Sequence, residues 1–407
     1  MIKVLQLCKK FPWPLKDGEA VAVTHLGKAM HEQGCEVTLL SMNTSKHYLD
    51  LSKIPADYNH YQDIHTVDVY NHVHIWDAFL NLFSSDSFHV SRFVSADFEQ
   101  ELVRLLRTES FDIVQIETVI LAYYIPVIRA NSRAKIVLRT HNVEHEIWER
   151  IAQNSRNPFK RWYLGHLAEK LRRYEVKHLN DADLLAAITA RDLYIFGELG
   201  YKNIGIVTPA GLDTAAYLPS WAVFQQPEVS LSFIGSLDWI PNVEGLEWFL
   251  DYVWPIVFAA HPTVTFHIAG RKMPQRVSRR TDAGVVIHGE TDSAIDFLNS
   301  HAIMVAPILS GSGIKVKIIE GMTLGRVVVS TSIGLEGIDA AHGTEILVAD
   351  TAADFAKCIN WCIRRPELML PIGQCARKFA TQHFDNQLIA SRLVEAYSKL
   401  TNKTAKV

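Results

Sequence analysis

Short runs of apolar, largely β-branched residues recur along the chain, each too brief for a helix and separated from the next by a longer amphipathic stretch. In the first half they fall at residues 2–8, 36–41, 112–116, 135–140 and 184–189, with helical patterns at 21–32 and 96–107 between them. This alternation is the mark of βαβ units feeding a parallel sheet, whose strands are buried on both faces and so read as continuous apolar runs. The second half restarts the pattern with "SLSFIG", "VTFHIAG", "GVVIHG", "AIMVAP" and "VVVST". Two doubly wound α/β halves are therefore expected, with ligand crevices at the carboxyl ends of their strands, facing one another across a cleft.

A chain of 407 residues also exceeds one ordinary core and favours two domains of roughly 200 residues each. The expected boundaries are 1–208 for the first domain and 230–380 for the second. The proline-punctuated stretch "PAGLDTAAYLPSWAVFQQPEV", 209–229, reads as a linker. Residues 381–407 are expected to form a helix that packs back toward the first domain. Residues 45–93, rich in His, Tyr, Asp and Asn, read as insertion loops.

Charge is nearly balanced, with 41 Lys+Arg against 44 Asp+Glu, so no global field draws nucleic acid and any anion site must be local. The five cysteines show no CxxC pairing, which argues against a disulfide framework or a zinc site and for a reducing cytoplasm. No window approaches the ~18 apolar residues of a spanning helix, and "MIKVLQLC" reads as a first strand. The triplet "DAD", 181–183, imitates a metal-binding DxD but directly precedes an apolar run, so it reads as a strand-entry turn.

The segment "SGSGIKVKIIEGMTLGRVVVST", 310–331, carries the clearest chemistry. Gly311 and Gly313 permit close backbone approach between a strand and a helix starting near Ile314, where unpaired N–H groups and the positive end of the helix dipole suit an anion. Lys315 and Lys317 stand at that same end, an unfavourable place for positive charge unless an anion joins them. Glu320, about two turns into a helix that starts at Gly313, is suited to hold a ribose diol. The plain alternatives are a glycine-rich turn with solvated lysines and an exposed helical glutamate.

Taken in order, "FIGSLDWIPNVEGLEWFLDYVWP", "VTFHIAGRKMP", "GVVIHGETDS" and the 310–331 segment resemble the nucleotide-sugar half of GT-B glycosyltransferases of family 4. "KKFPWPLKDGEAVAVTHLGKAMHEQGCEVTLLS" and "RTHNVEHEIWER" resemble their amino-terminal glycine loop and histidine segment, and "PAGLDTAAYLP" their interdomain stretch. The resemblance implies a GT-B fold of two Rossmann-like domains. It implies ribose binding by Glu320, donor contacts from Gly18, Gly235, Arg271, Gly289, Ser312, Gly313 and Ile314, and catalytic roles for His141, Lys315 and Lys317. Three departures stand out. Ser312 occupies the position where the family usually has a first glutamate, and "GSLDWIPN", 235–242, lacks the usual diphosphate-binding Arg and Lys, a role that passes to Lys315, Lys317 or Arg271. Gly18 is followed by Glu19 where a second glycine is usual.

On the acceptor side the candidates are Glu117, which follows a strand, and Trp13, with Lys9, Lys16 and Phe11 beside it. Glu144 and His145 are weaker members of the His141 cluster. Trp148, Trp162 and Tyr163 are core aromatics by spacing or, alternatively, part of a helix lying on a membrane. The function implied is a cytoplasmic, retaining, metal-independent hexosyltransferase that needs no cofactor. It would transfer a sugar from a nucleoside diphosphate donor to a glycan or lipid-linked acceptor in polysaccharide or glycoconjugate biosynthesis, with a peripheral membrane contact. The alternatives are a nucleotide-sugar epimerase of the same plan and a catalytically silent glycan-binding subunit.

Overall fold

The computed structural model describes all residues except 15–17, 56–57, 72–80, 82–83, 85–86, 156, 312 and 404–407, and only the backbone at 46. The chain divides into two compact units, Met1–Ala210 with Asn386–Val407, and Gly211–Asp385. Each is built on one parallel sheet.

The first sheet has seven strands: β1 (Ile2–Cys8), β2 (Cys35–Thr44), β3 (Asp63–Val69), β4 (Ile113–Ile116), β5 (Lys135–Thr140), β6 (Leu184–Ala187) and β7 (Ile204–Val207). Their order is β3-β2-β1-β4-β5-β6-β7, with every pairing parallel. Two of these strands depart from the sequence expectation. β3 lies inside the stretch expected to be insertion loops, and β7 was not expected. Both are edge strands, half-exposed in "DIHTVDV" and mostly exposed in "IGIV", so neither needs the continuous apolar run that marks a strand buried on both faces.

The second sheet has six strands: β8 (Ser230–Ile234), β9 (Thr265–Ala269), β10 (Val285–Gly289), β11 (Ile303–Ala306), β12 (Val327–Ser330) and β13 (Leu347–Val348). Their order is β10-β9-β8-β11-β12-β13, again all parallel. The strand order reverses between β1 and β4 in one unit and between β8 and β11 in the other. In doubly wound sheets that reversal opens the ligand crevice at the carboxyl ends of the strands. Apolar clusters cover both faces of each sheet.

The expected linker is not a free connection. From Gly211 onward it belongs to the second unit, because backbone groups that a linker would leave in water are paired there. Arg326, fully buried, donates to Ser220 O at 2.8 Å and lies over Phe224, 5.0 Å from its ring centre. Asn299 accepts from Ser220 N at 3.0 Å and donates to Leu218 O at 2.9 Å. The unit also keeps residues 381–385, since Leu212 N donates to Phe384 O at 2.8 Å. Only the helix Asn386–Thr401 returns to the first unit, where Ile389, Ala390, Leu393, Val394 and Tyr397 join the apolar cluster that packs β1 and β2. Burial of each large apolar side chain contributes about 1.5–3 kcal/mol, so this helix is part of that core. No helix among the described residues is long and apolar enough to cross a membrane.

Candidate functional site

At the switch point of the second sheet, β8 ends at Ile234 just before Gly235, and the helix Val316–Thr323 follows β11. That helix opens two residues later than its sequence suggests. Lys315 is held extended (φ −93°, ψ 90°) as its N-cap, and Gly313 turns the chain at φ 76°, a left-handed conformation natural to glycine. Glu320 therefore lies little more than one turn into the helix, not two. Ile318, Ile319 and Met322 are fully buried and hold the helix against the sheet.

The two lysines behave differently from each other. Lys315 is not a mobile surface cation: it is buried, and its ammonium donates to Gly313 O at 2.5 Å, so its charge helps fix the glycine turn. Lys317 donates to Asn242 Oδ1 at 2.6 Å and sits 4.6 Å from the centre of the Phe233 ring. Burial, and then the charge of Lys315, lowers its pKa to about 7, against the opposing pull of Glu320. Asn242 also donates to Ser236 O at 2.8 Å. A Cβ on Gly235 would stand 2.8 Å from Asn242 Nδ2, so glycine is what lets the loop after β8 approach this amide. Sequence reading overlooked Asn242, whose only signal was its place at the start of a helix after β8.

Arg271 Nε donates to Ser236 Oγ at 2.8 Å, Ser236 donates to Asp238 at 2.5 Å, and Lys272, at φ 54°, pairs with Asp238 at 2.7 Å. Lys272 and Ser236 together bring the Asp238 carboxyl down to about 2. The loops after β8 and β9 are thus tied by charge-assisted hydrogen bonds. Gly289 closes β10 at φ 75°, its carbonyl accepting from Gly270 N at 2.7 Å. Ile314 packs in part against the apolar cluster around Ile318. Ser312 lies outside the described residues.

Glu320 is partly buried, and its Oε1 accepts from the Tyr217 hydroxyl at 2.9 Å. Burial raises its pKa, with Tyr217 and Lys317 acting against that rise. Its Oε2 has no protein partner among the described residues. The second unit thus presents a carboxylate with one oxygen available, a cation poised near neutrality and a glycine turn, all at one sheet edge.

In the first unit, Glu117 follows β4 and is 1 % exposed. This corrects its assignment to acceptor contact: it is the centre of a buried polar network. It accepts from Gln6 at 2.5 Å, Arg139 at 3.0 Å and His141 Nε2 at 3.1 Å, and also from Gln115, which in turn accepts from Tyr397. Burial works to raise its pKa, but Arg139, His141 and Gln6 hold it at about 2. An ionised Glu117 accepts, so His141 carries its proton on Nε2 and turns the Nδ1 lone pair away from the carboxylate. Burial lowers the His141 pKa, Glu117 raising it and Arg139 lowering it to a lesser degree. The imidazole is therefore neutral near pH 7.

His145 is buried and bonds Glu175 through Nδ1 at 2.5 Å; Glu175 also accepts from the backbone N–H of Glu144 and His145 at 3.0 Å each. Glu175 thereby caps the helix Glu144–Gln153, whose own N-cap Val143 has no capping side chain. His145 serves that cap. Gly18 opens the helix Gly18–Glu32 with open space around a would-be Cβ, and Glu19 pairs with Lys9 and Lys10 at 3.4 Å each. Trp13 packs in part on the apolar cluster beside β1, and Phe11 is buried in it. Lys16 lies outside the described residues. Trp148 stacks on His89 with ring centres 4.1 Å apart, whereas Trp162 is 64 % exposed. In the "DAD" turn, Asp183 is engaged by Arg129 at 2.8 Å and Ile136 N at 2.7 Å, and Asp181 by His178 at 2.8 Å.

Residues 228–365 match the family described as glycosyl transferases group 1. A protein of Klebsiella pneumoniae, described as an uncharacterized 44.6 kDa protein in the cps region, is 26 % identical over 271 residues, covering 63 % of this chain and 67 % of its own. HepE of Anabaena, solved in complex with UDP, superposes with a TM-score of 0.69 at 17 % identity, over 98 % of this chain and 100 % of that one. Sucrose-phosphate synthase of Thermosynechococcus elongatus gives 0.69 at 14 %, over 98 % and 99 %. The fold is that of the GT-B glycosyltransferases, with two Rossmann-like parallel-sheet units.

Proposed function

We propose that the protein is a retaining glycosyltransferase. It would move a glycosyl group from a nucleoside diphosphate sugar to a hydroxyl of a glycan or lipid-linked acceptor during assembly of a surface polysaccharide or glycoconjugate. The observation that carries this reading is the placing of the Glu320 carboxylate and the Lys317 ammonium, each acting on the other's charge and each held by its own hydrogen bond, on the helix behind the Gly313 turn in the region that matches the group 1 family. The UDP complex of HepE supports a nucleoside diphosphate donor. The cps-region relative supports a role in surface polysaccharide, and we assign the activity to the cytoplasm, at the inner face of a membrane.

In the reaction proposed, the bond between the sugar C1 and the diphosphate oxygen breaks, and its electron pair stays on the diphosphate. The acceptor oxygen bonds to C1 from the same face, and its proton passes to the departing diphosphate, which preserves the anomeric configuration. Charge builds up on the leaving group, so donors already in place stabilise the transition state more than the ground state. We assign this role to Lys317 and the backbone amides of Gly313 and Ile314, with Arg271 supplementing them and no metal needed. Glu320 Oε2 takes the ribose diol. In the first unit, His141, neutral and with Nδ1 turned from Glu117, is the acceptor we assign to a sugar hydroxyl.

Nucleotide release from a panel of UDP- and GDP-sugars, with and without acceptor and with or without EDTA, tests the reading. Acceptor-dependent release that survives EDTA is expected. Isomerisation of the donor without acceptor would overturn it in favour of an epimerase, and tight donor binding with no turnover in favour of a silent subunit.

A further inference from the structure

Tyr217 is the residue in this region that the chemistry above leaves without a role. It comes from the segment between the two sheets, not from a strand end, yet its hydroxyl reaches Glu320 Oε1 at 2.9 Å. Its backbone is held as firmly as its side chain. Arg377 donates from one nitrogen to Tyr217 O at 2.6 Å and to Thr323 O at 2.5 Å, and Thr323 is the last residue of the helix that carries Glu320. Upstream, Tyr217 N turns back to Thr214 O at 3.3 Å, Thr214 Oγ1 donates to Asp385, and Leu212 N donates to Phe384 O at 2.8 Å. Both ends of the hydroxyl–carboxylate bond are therefore fixed to the same framework.

We infer that Tyr217 is a positioning residue for the donor site: its hydroxyl occupies Oε1 of Glu320 and so presents Oε2, in one orientation, to the ribose of a nucleoside diphosphate. This rests on the donor-site reading above. A glutamate side chain has three rotatable bonds, and a second anchor removes most of their freedom before the ligand arrives. To the ionised form of Glu320 the phenol makes a charge-assisted hydrogen bond, the stronger class, and burial followed by the nearby Glu320 charge keeps the phenol itself protonated far above neutrality. The charged groups that bear on the pair are Lys317, which favours the Glu320 carboxylate, and Asp213, which favours the neutral phenol.

The charge balance gives the role a signature that simple packing lacks. Tyr217 donates to the ionised form of Glu320 and so stabilises it, while burial pushes the other way. Loss of the hydroxyl lets the Glu320 pKa rise further. The acidic limb of the nucleotide affinity profile should then move to higher pH.

The test is calorimetric binding of UDP, GDP and ADP, and of the 2′-deoxy counterpart of whichever binds, to the full chain and to its Tyr217→Phe and Glu320→Ala variants from pH 4.5 to 8. Tyr217→Phe keeps the ring and its packing. It is expected to weaken the nucleotide by roughly tenfold, to shift the acidic limb up by about one pH unit and to reduce the penalty for 2′-deoxyribose. Glu320→Ala is expected to lose tenfold or more and to lose that limb altogether. If Glu320→Ala behaves so while Tyr217→Phe leaves affinity and pH profile unchanged, the positioning role is overturned and the donor site stands. If the wild type binds none of the diphosphates, or Glu320→Ala binds as well as wild type, the donor-site reading falls and the role of Tyr217 with it.

Discussion

At the scale of single residues, the molecule shifts two buried ionisable groups far from their ordinary range, Lys317 by burial itself and Glu117 by its partners against burial. Lys317 has a pKa of about 7, so it is charged below that pH and increasingly neutral above it. A diphosphate bound beside it favours the ammonium form. Nucleotide binding at pH 8 is therefore expected to take up close to one proton, and affinity to fall as pH rises through 7. Calorimetry in buffers of different ionisation enthalpy measures the uptake, which Lys317→Met should abolish; equal uptake in that variant would remove Lys317 from the phosphate site. Glu117 poses the opposite case, a carboxylate held ionised in the core by Arg139. Glu117→Gln leaves that guanidinium buried and uncompensated, which costs about 3–5 kcal/mol. Chemical denaturation should show a loss of that size, with the His141 imidazole released to either tautomer in nitrogen NMR.

At the scale of elements, the parts of the proposed donor site are held by ties that are not local in sequence. Asn242 holds the loop after β8 through Ser236 O and holds Lys317 from another helix. Asn242→Ala cuts both ties while removing a buried polar side chain that belongs to none of the apolar clusters, so it is expected to lower kcat/KM by roughly tenfold or more through misplacement of the cation. Its thermal midpoint should move by only a few degrees. A variant with wild-type kcat/KM would show that Lys317 finds its position without Asn242. The expected linker behaves as an element of the second unit for the same reason: Arg326, Asn299 and Arg377 pair its carbonyls, and a paired backbone has no reason to stay in water.

At the scale of the whole molecule, buried neutral histidines set the response to acid. His60, His89 and His301 are each held at about 4 by burial, and His141 is lowered as well. In the unfolded chain they titrate near ~6.5. Below that pH the unfolded state binds protons that the native state refuses, so stability rises with pH and is lost as pH falls from about 6.5 to 4. Denaturant melts across this window should show a steady decline and proton uptake on unfolding of about three or more near pH 5. A flat profile from pH 7 to 4 would sink that account. The strand pattern, the two-sheet plan and the glycine turn with Glu320 behind it were all legible in the sequence. Periodicity and turn chemistry are local, and a strand buried on both faces must be apolar wherever it occurs. The edge strands β3 and β7 were not legible, because a strand paired on one side carries no such constraint. Nor could the sequence tell a mobile Lys315 from a buried one, or an acceptor-facing Glu117 from the centre of a polar network. The partners of Lys317, Glu117 and Glu320 lie 75, 111 and 103 residues away in the chain for Asn242, Gln6 and Tyr217 respectively. The sequence by itself determined which groups this protein has to work with. Only the tertiary structure decided which of them are charged, which are committed to the fold and which face a ligand, since burial and long-range hydrogen bonds, not residue type, set those states.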